Sequence, residues 1–523
     1  MNPRFSRTRS PSPCWRGLGE GGGAWSPAPS PHPLPQGEGE DRSLRAILSL
    51  FLAMSLTACM VGPDYDRPEA PVPVAYKELQ GWTMAQPQDA VDRGAWWSVY
   101  NDPELDHLER QVDVSNQTIK QFEAEYRNAQ ALVQEAQASL FPVATLNGAV
   151  THGSGFGGGS SSSSSSSSLL KGGGTSHTQY TVEGSISWDL DVWGRIRRQI
   201  ESQKAAEQVS AADLANARLS AQATLATDYF DLRAEDSLTD LLQQTVVAFE
   251  RSLQIVQNQH AAGTVSAADV VTAQAQLEGA RAQLVGVGVQ RAIFEHAIAV
   301  LTGRAPAELT IAPALLTSDV PVMPPGLPST LLQRRPDIAA AERQMQQENA
   351  LIGVQVAAFY PDISLSTLGG FIGSPLSQLF TTANRVWSLG GAASEPIFEG
   401  GARSAAVAAA RATYDQSVAN YRQVVLTALQ QVEDELSSLR ILEHQARAET
   451  IAVGASQRAV DVTLNQYRSG TVAYTSVVTE QTTLLTNQQS QLAVQQSRLV
   501  ASVALIAALG GGWNVQLLAD KGH

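Results

Sequence analysis

Residues 178–193 read TQYTVEGSISWDLDVW. From 180 to 192 the even positions, Tyr180, Val182, Gly184, Ile186, Trp188, Leu190 and Val192, are apolar or small. The odd positions Thr181, Glu183, Ser185, Ser187, Asp189 and Asp191 are polar. A period of two with one apolar face is the signature of a strand, and an apolar face carrying aromatics suits a strand whose outer side meets lipid. Residues 142–152 read the same way, as do 361–372, with Ile363, Leu365 and Phe371 on one face, and more weakly 386–398. The strands pair as two hairpins, 142–193 and 361–398.

Outward from these hairpins the chain repeats itself. Ala138-Ser139-Leu140-Phe141-Pro142 recurs as Ala357-Ala358-Phe359-Tyr360-Pro361, 219 residues on. Arg195 recurs as Arg403, and Ala262-Gly263-Thr264-Val265 recurs as Ser469-Gly470-Thr471-Val472, 207 residues on. The first copy is about 11 residues longer between its Pro and its Arg, an interval that holds Gly157 to Gly159 and the nine serines Ser160 to Ser168. This excess is a low-complexity loop that leaves the flanking elements in register.

From Arg195 to Ala262 there is no Gly or Pro, and from Arg403 to Ser469 only Gly454. At about 1.5 Å per residue each span predicts a helix of about 100 Å, 195–262 and 403–469. Return helices, 267–302 and 474–509, follow each Gly-Thr-Val turn, where glycine supplies the left-handed conformation that ends a helix. A further helix precedes each hairpin, over 104–140 and 337–359.

A lipid-facing sheet leaves no free edge, because unpaired backbone groups in hydrocarbon cost several kcal/mol each. Four strands are too few to close a barrel, since the smallest membrane barrels have about eight. The residues therefore predict a barrel pooled from several copies. Two copies supply eight strands and three supply twelve.

Composition agrees. The chain has 523 residues, a net charge of −14 and 16% charged residues, against about 25% for an ordinary soluble domain. Its acidity excludes a phosphate-binding surface and so a nucleic-acid partner. No run of about 18 uninterrupted apolar residues is present, which excludes a polytopic helical pump. The two cysteines, Cys14 and Cys59, provide neither a disulfide framework nor a zinc site. The eight histidines form no His-Glu-x-x-His pattern, and Gly286-Val287-Gly288 lacks the third glycine of a dinucleotide loop. No catalytic residue and no metal site are expected.

Arg42 and Arg45 precede an apolar stretch from Ile47 to Leu56 that ends in Leu56-Thr57-Ala58-Cys59. This is a cleavable signal over 42–58. It resembles a bacterial lipobox, which implies a diacylglyceryl group on Cys59 as the covalent modification and no other cofactor. Met60, in place of an acidic residue after the cysteine, implies outer-membrane sorting. Residues 1–41, rich in Pro and Gly, precede the signal and are expected to lie outside the true coding start, so mature protein runs from Cys59.

With the lipobox, Val61-Gly62-Pro63-Asp64-Tyr65-Asp66-Arg67-Pro68, Trp96-Trp97 leading to Asp102-Pro103-Glu104-Leu105, Arg334-Arg335-Pro336-Asp337-Ile338, the paired Gly-Thr-Val turns and the terminal Gly510-Gly511-Gly512-Trp513 resemble TolC-like outer-membrane factors, specifically the lipoprotein branch of NodT or OprM type. The resemblance covers about 59–515. It implies an α+β membrane protein: a homotrimeric 12-stranded β-barrel, four strands per chain, continuous with a long periplasmic α-helical barrel. It organises the chain as 59–103, lipidated and equatorial; 104–310, the first repeat; 311–335, an equatorial linker; 336–513, the second repeat; and 514–523, a tail. It implies the passive exit duct of a tripartite RND-type efflux system, with a periplasmic adaptor and an inner-membrane RND or ABC pump as partners. The tips Ala262, Gly263, Thr264, Val265, Ser469, Gly470, Thr471 and Val472 would meet the adaptor. Asp269, Tyr467 and Arg468 would belong to the periplasmic gate. Where TolC has an arginine directly after Gly-Thr this chain has Val472, which predicts a more apolar closure. Glu183, Asp189 and Asp191, repeated around the lumen, form an acidic lining suited to cations. Two alternatives stay open: the outer-membrane component of a type I secretion system, and a periplasmic coiled-coil lipoprotein with no pore.

Overall fold

The structure, a computed structural model, describes residues 60–78, 95–154, 176–317, 319–321, 328 and 334–513. Cys59, the signal 42–58, residues 1–41, the serine run 160–168 and the tail 514–523 lie outside the described residues.

The duplication is exact in length. The long helices, α3 (Arg195–Ala261) and α6 (Ala402–Arg468), each have 67 residues, and the return helices, α4 (Ala267–Leu301) and α7 (Tyr474–Ala508), each have 35. The helices before the hairpins, α2 (Gln117–Ala138) and α5 (Pro336–Ala357), each have 22. At about 1.5 Å per residue α3 and α6 each run about 100 Å. Their ends follow from glycine. Gly263 at φ 74° donates to the His260 carbonyl while Thr264 N donates to that of Gln259; Gly470 at φ 75° and Thr471 repeat this on Tyr467 and Gln466. Both are Schellman turns, which satisfy carbonyls that the ended helix leaves bare.

The helix expected over 104–140 is instead two, α1 (Pro103–Ser115) and α2. Asn116 makes the break. Its side chain accepts from Thr118 N and Ile119 N to start α2, and its amide donates to the Leu301 carbonyl at 2.8 Å.

One four-stranded antiparallel sheet runs in chain order, β1 (Val143–Ser154), β2 (Ser176–Leu190), β3 (Asp362–Gly373) and β4 (Arg385–Ser394). The two hairpins are joined because β2 pairs with β3, placing Glu183 opposite Gly370 and Trp188 opposite Leu365. β1 and β4 are the edges, and each is paired on one side.

The helices pack as α3 against α4, and α6 against α7, with α5 lying across both long helices and α7 also touching α3. The main apolar cores sit midway, one around Trp96, Leu105, Tyr229, Phe230 and Leu499, the other around Ile338, Met345, Tyr421 and Val432. A third, smaller core seals the tips. α4 is long and apolar enough to cross a membrane by length and composition, yet it has no uninterrupted apolar run, because charges are spaced along it. Those charges tie it to α3: Arg281 reaches Glu250 at 2.7 Å and Arg291 reaches Asp236 at 2.7 Å.

Candidate functional site: the paired helix tips and the strand–helix junction

The two Gly-Thr-Val turns lie side by side and share one open groove of about 770 Å³, lined by Ala262, Thr264, Val265, Asp269, Tyr467, Arg468, Ser469, Gly470 and Val472 among others. Residues 207 apart in the chain thus form one surface. Neither Gly263 nor Gly470 has an atom within 4 Å of the position a Cβ would occupy, so both tips are open to a partner. Thr264 and Thr471 turn their hydroxyls back onto the Gln259 and Gln466 carbonyls, both at 2.9 Å, which stiffens the turns.

Behind the groove lies an apolar seal. Val256, Ala273, Tyr467, Tyr474 and Val477 are buried together, with Val265 and Val472 packed on them. Tyr467 and Tyr474 stand 5.3 Å apart, ring centre to ring centre. Burial, with Asp269 nearby, holds the Tyr467 phenol above its ordinary range, and burial pushes Tyr474 up to about 12. The Tyr467 hydroxyl has no hydrogen-bond partner among the described residues. Asp269 closes a capping box with Ser266, accepting from its backbone N at 3.2 Å and its Oγ at 3.0 Å. Among the described residues Arg468 reaches its helix neighbour Asn465, at 3.5 Å. Asp269, Tyr467 and Arg468 therefore share the groove, but Asp269 and Arg468 make no ion pair with each other.

At the other end, the sheet register sorts the strand residues. Asn147, Glu183, Ser185, Ser187, Asp189, Ser364 and Ser366 share one face; Leu146, Val182, Ile186, Trp188, Leu365, Phe371, Trp387 and Leu389 share the other. Asp191 departs from expectation. It lies beyond the end of β2 at Leu190, and its carboxylate accepts from Ile196 N at 2.9 Å and Arg197 N at 3.0 Å while pairing with Arg197 Nε at 3.0 Å. It serves the open amides at the start of α3, as anions do at helix N-termini, and is no part of the acidic face. Glu183 and Asp189 remain there.

The segment after Cys59 begins against this junction. Val61 N donates to the Trp193 carbonyl at 3.2 Å, and Met60 covers Gly194, where a Cβ would come within 2.6 Å of its side chain. Arg198, whose side chain is buried, gathers the segment by donating to the Val61 carbonyl at 3.3 Å and Asp64 at 2.8 Å while also holding Glu201 at 2.8 Å. Farther along, Arg67 bridges Glu342 at 3.2 Å and the Tyr421 hydroxyl at 3.0 Å. The Val61 to Pro68 motif is thus a strap across α3, α5 and α6. Its partners Arg198, Glu342 and Tyr421 escaped the sequence reading because they stand far away in the chain and carry no local pattern.

Residues 108–304 and 327–511 match the family described as Outer membrane efflux protein, and the chain belongs to it. It is similar to the toluene efflux pump outer membrane protein TtgC of Pseudomonas putida, 30% identical over 90% of this chain and 96% of that one. It is similar also to the cation efflux system protein CusC of Escherichia coli, 27% identical over 89% of this chain and 98% of that one. Among solved structures, the outer-membrane channel OprN superposes with a TM-score of 0.80 at 29% identity, covering 87% of this chain and all of the other. The chain is an outer-membrane efflux channel, its sheet in the outer membrane and its helices in the periplasm.

Proposed function

We propose that three copies of this chain form the passive exit duct of a tripartite RND-type efflux system. The carrying observation is the sheet, whose apolar face bears Trp188, Trp387 and Leu389 while β1 and β4 are left as unpaired edges. In lipid those edges demand pairing, and three four-stranded sheets close a twelve-stranded barrel. The 67-residue helices continue it into the periplasm. Transport is driven elsewhere, by an inner-membrane pump reached through an adaptor that grips the two Gly-Thr-Val tips. The shared groove supports this reading because one partner could engage both turns at once.

Gating falls to the tyrosine and valine seal behind that groove, with Asp269 and Arg468 at its rim. Glu183 and Asp189 line the lumen. A lipid on Cys59 is supported by Met60 and Val61, the residues that follow it, which pack at the strand–helix junction. The cargo belongs to the pump: similar chains are named for toluene and for a cation.

The test is conductance and mass on the full protein purified from membranes. A trimer that forms steady pores in a planar bilayer is expected. A monomer, or a trimer that stays silent with adaptor and pump added, removes the duct. Gly470→Trp at the tip should abolish efflux and adaptor co-purification with trimer levels unchanged; retention of both removes the tip contact.

A further inference from the structure

The two strand–helix junctions of this chain are repeats of each other, yet one is filled and the other is bare. At the first, β2 leads into α3 through four residues, 191–194. Trp193 there stacks on Tyr360 at 4.8 Å and 24°, and its Nε1 donates to the Pro361 carbonyl at 2.9 Å. Tyr360 and Pro361 belong to the turn that starts β3, the strand paired with β2. Met60 closes the remaining side, over Gly194.

At the second junction, β4 leads into α6 through seven residues, 395–401. The three added residues make room for the bulge Glu395-Pro396-Ile397-Phe398. Arg403 staples its base, pairing with Glu395 and with Glu399 at 2.9 Å and donating to the Pro396 carbonyl at 3.1 Å. The bulge is thereby held, and it presents Ile397 and Phe398 at 98% and 90% exposure. Nothing lies within 4 Å of where a Cβ on Gly400 would stand. Two large apolar side chains this exposed forgo the burial that ordinarily stabilises them.

The repeat supplies the missing piece. Tyr360, which fills the first junction, corresponds to Phe141 in the turn that starts β1, and Phe141 is 67% exposed. Within one chain β1 and β4 are opposite edges of the sheet, three strand spacings or about 14 Å apart, so Phe141 cannot fill its own second junction. When sheets join edge to edge, β4 of one copy meets β1 of the next.

We infer that Ile397 and Phe398 of one copy clasp Phe141 of the neighbouring copy, an apolar lock between subunits at the base of the barrel. The inference rests on the trimeric closure proposed above. The clasp repeats between copies what Trp193 and Tyr360 do within one, and it uses the bulge to span a junction that carries glycine where the first has tryptophan.

The test is F141C combined with F398C in the full protein, expressed in the outer membrane and oxidised with copper phenanthroline, with native mass measured in detergent. An intrachain disulfide would leave the chain a monomer in denaturing gels, so it cannot be mistaken for the covalent dimers and trimers that a link between copies gives. Covalent dimers and trimers are expected from the double variant, reversed by reductant and absent from either single variant. A trimer by mass without cross-links overturns the clasp and leaves the trimer standing; labelling of the same cysteines by a membrane-dissolved pyrenyl maleimide would then identify lipid as the occupant. A monomer by mass overturns both. A second measurement needs no cysteine: I397A combined with F398A should lower the temperature at which the trimer dissociates in detergent by several degrees, and an unchanged temperature also overturns the clasp.

Discussion

Equal lengths conceal unequal duties in the two halves. α3 touches α1, α2, α4, α5 and α7, whereas α6 is packed mainly by α7 and α5. The difference shows at matching positions. Arg233 and Asp236 in α3 correspond to Arg440 and Glu443 in α6. In α3 the pair is buried: Arg233 donates to Asp236 at 3.1 Å and the Ala312 carbonyl at 2.6 Å, Arg291 holds the other carboxylate oxygen at 2.7 Å, and Ala314 N donates to Asp236 at 3.0 Å. In α6 Glu443 is an exposed partner of Arg447, and Arg440 turns to Glu78, ten residues past the end of the strap. One helix became the hub of the subunit and the other stayed near its surface. A duplicated helix keeps its length because its partner must match it, but its charges are used according to what surrounds them.

The largest expected effect breaks this contrast directly. Asp236→Ala leaves the buried Arg233 guanidinium with no carboxylate among the described residues, while Arg291 keeps only Glu295 at 3.5 Å, and should cost about 3–5 kcal/mol in denaturant unfolding, whereas Glu443→Ala, at the same register on the surface, should cost no more than about 1 kcal/mol. Equal losses would end the hub description.

Glu109 sharpens the contrast through pH. It is fully buried in α1, neither carboxylate oxygen has a partner among the described residues, and burial reinforced by Asp113 pushes its carboxyl up to about 9. Glu342 in α5, by comparison, has Arg67 at 3.2 Å. Because the folded pKa lies above the unfolded value near 4.5, the Glu109 contribution is fully present below about pH 4.5 and is lost as pH rises toward 9. The slope over that window is about 1.4 kcal/mol per pH unit for one proton. Glu109→Gln should flatten it in a series of melts from pH 5 to 9, and Glu342→Gln should not.

The two junction glycines give the next effect. Gly194 and Gly401 both have positive φ, 82° and 90°, so alanine at either costs about 1–2 kcal/mol of backbone strain. Gly194→Ala also drives a methyl into Met60, adding about 1–3 kcal/mol, while the nearest atom at Gly401 is the Ser404 Oγ at 3.7 Å. Thermal unfolding should rank Gly194→Ala below Gly401→Ala.

The smallest effect lies at the tips. Ser266 caps α4, but Ala473 begins α7 without a side-chain cap despite the extended backbone that a cap requires. Ser266→Ala should cost about 1 kcal/mol and Ala473→Ser should return a similar gain. Hydrogen exchange at the two tips reads both, as faster exchange at the first and slower at the second.

Much of the architecture was legible because it is periodic. Alternation over 178–193 located β2, and two long spans, one without glycine and one with only Gly454, located α3 and α6 to within a residue or two, since a Schellman turn needs its glycine at a defined place. Asp191 was misread for the same reason that β2 was found. Its alternation continues in the letters past Leu190, where the strand has stopped and the residue is needed by the amides of α3. The break at Asn116 was hidden because Ser115-Asn116 differs little from the polar residues around it until the Leu301 carbonyl fixes its amide. The tip groove was half visible, as two similar turns whose adjacency no spacing in the chain could state.

By itself the sequence determined the periods, the lengths and the duplication, because each is written in neighbouring residues and local backbone preference. It also determined that the sheet needs partners, since four strands in lipid cannot close. Only the tertiary structure decided which of two equal helices became the hub, which junction is filled, and that Val61 to Pro68 straps three helices. These depend on contacts between residues tens to hundreds of positions apart, which burial and hydrogen-bond geometry select and no local pattern encodes.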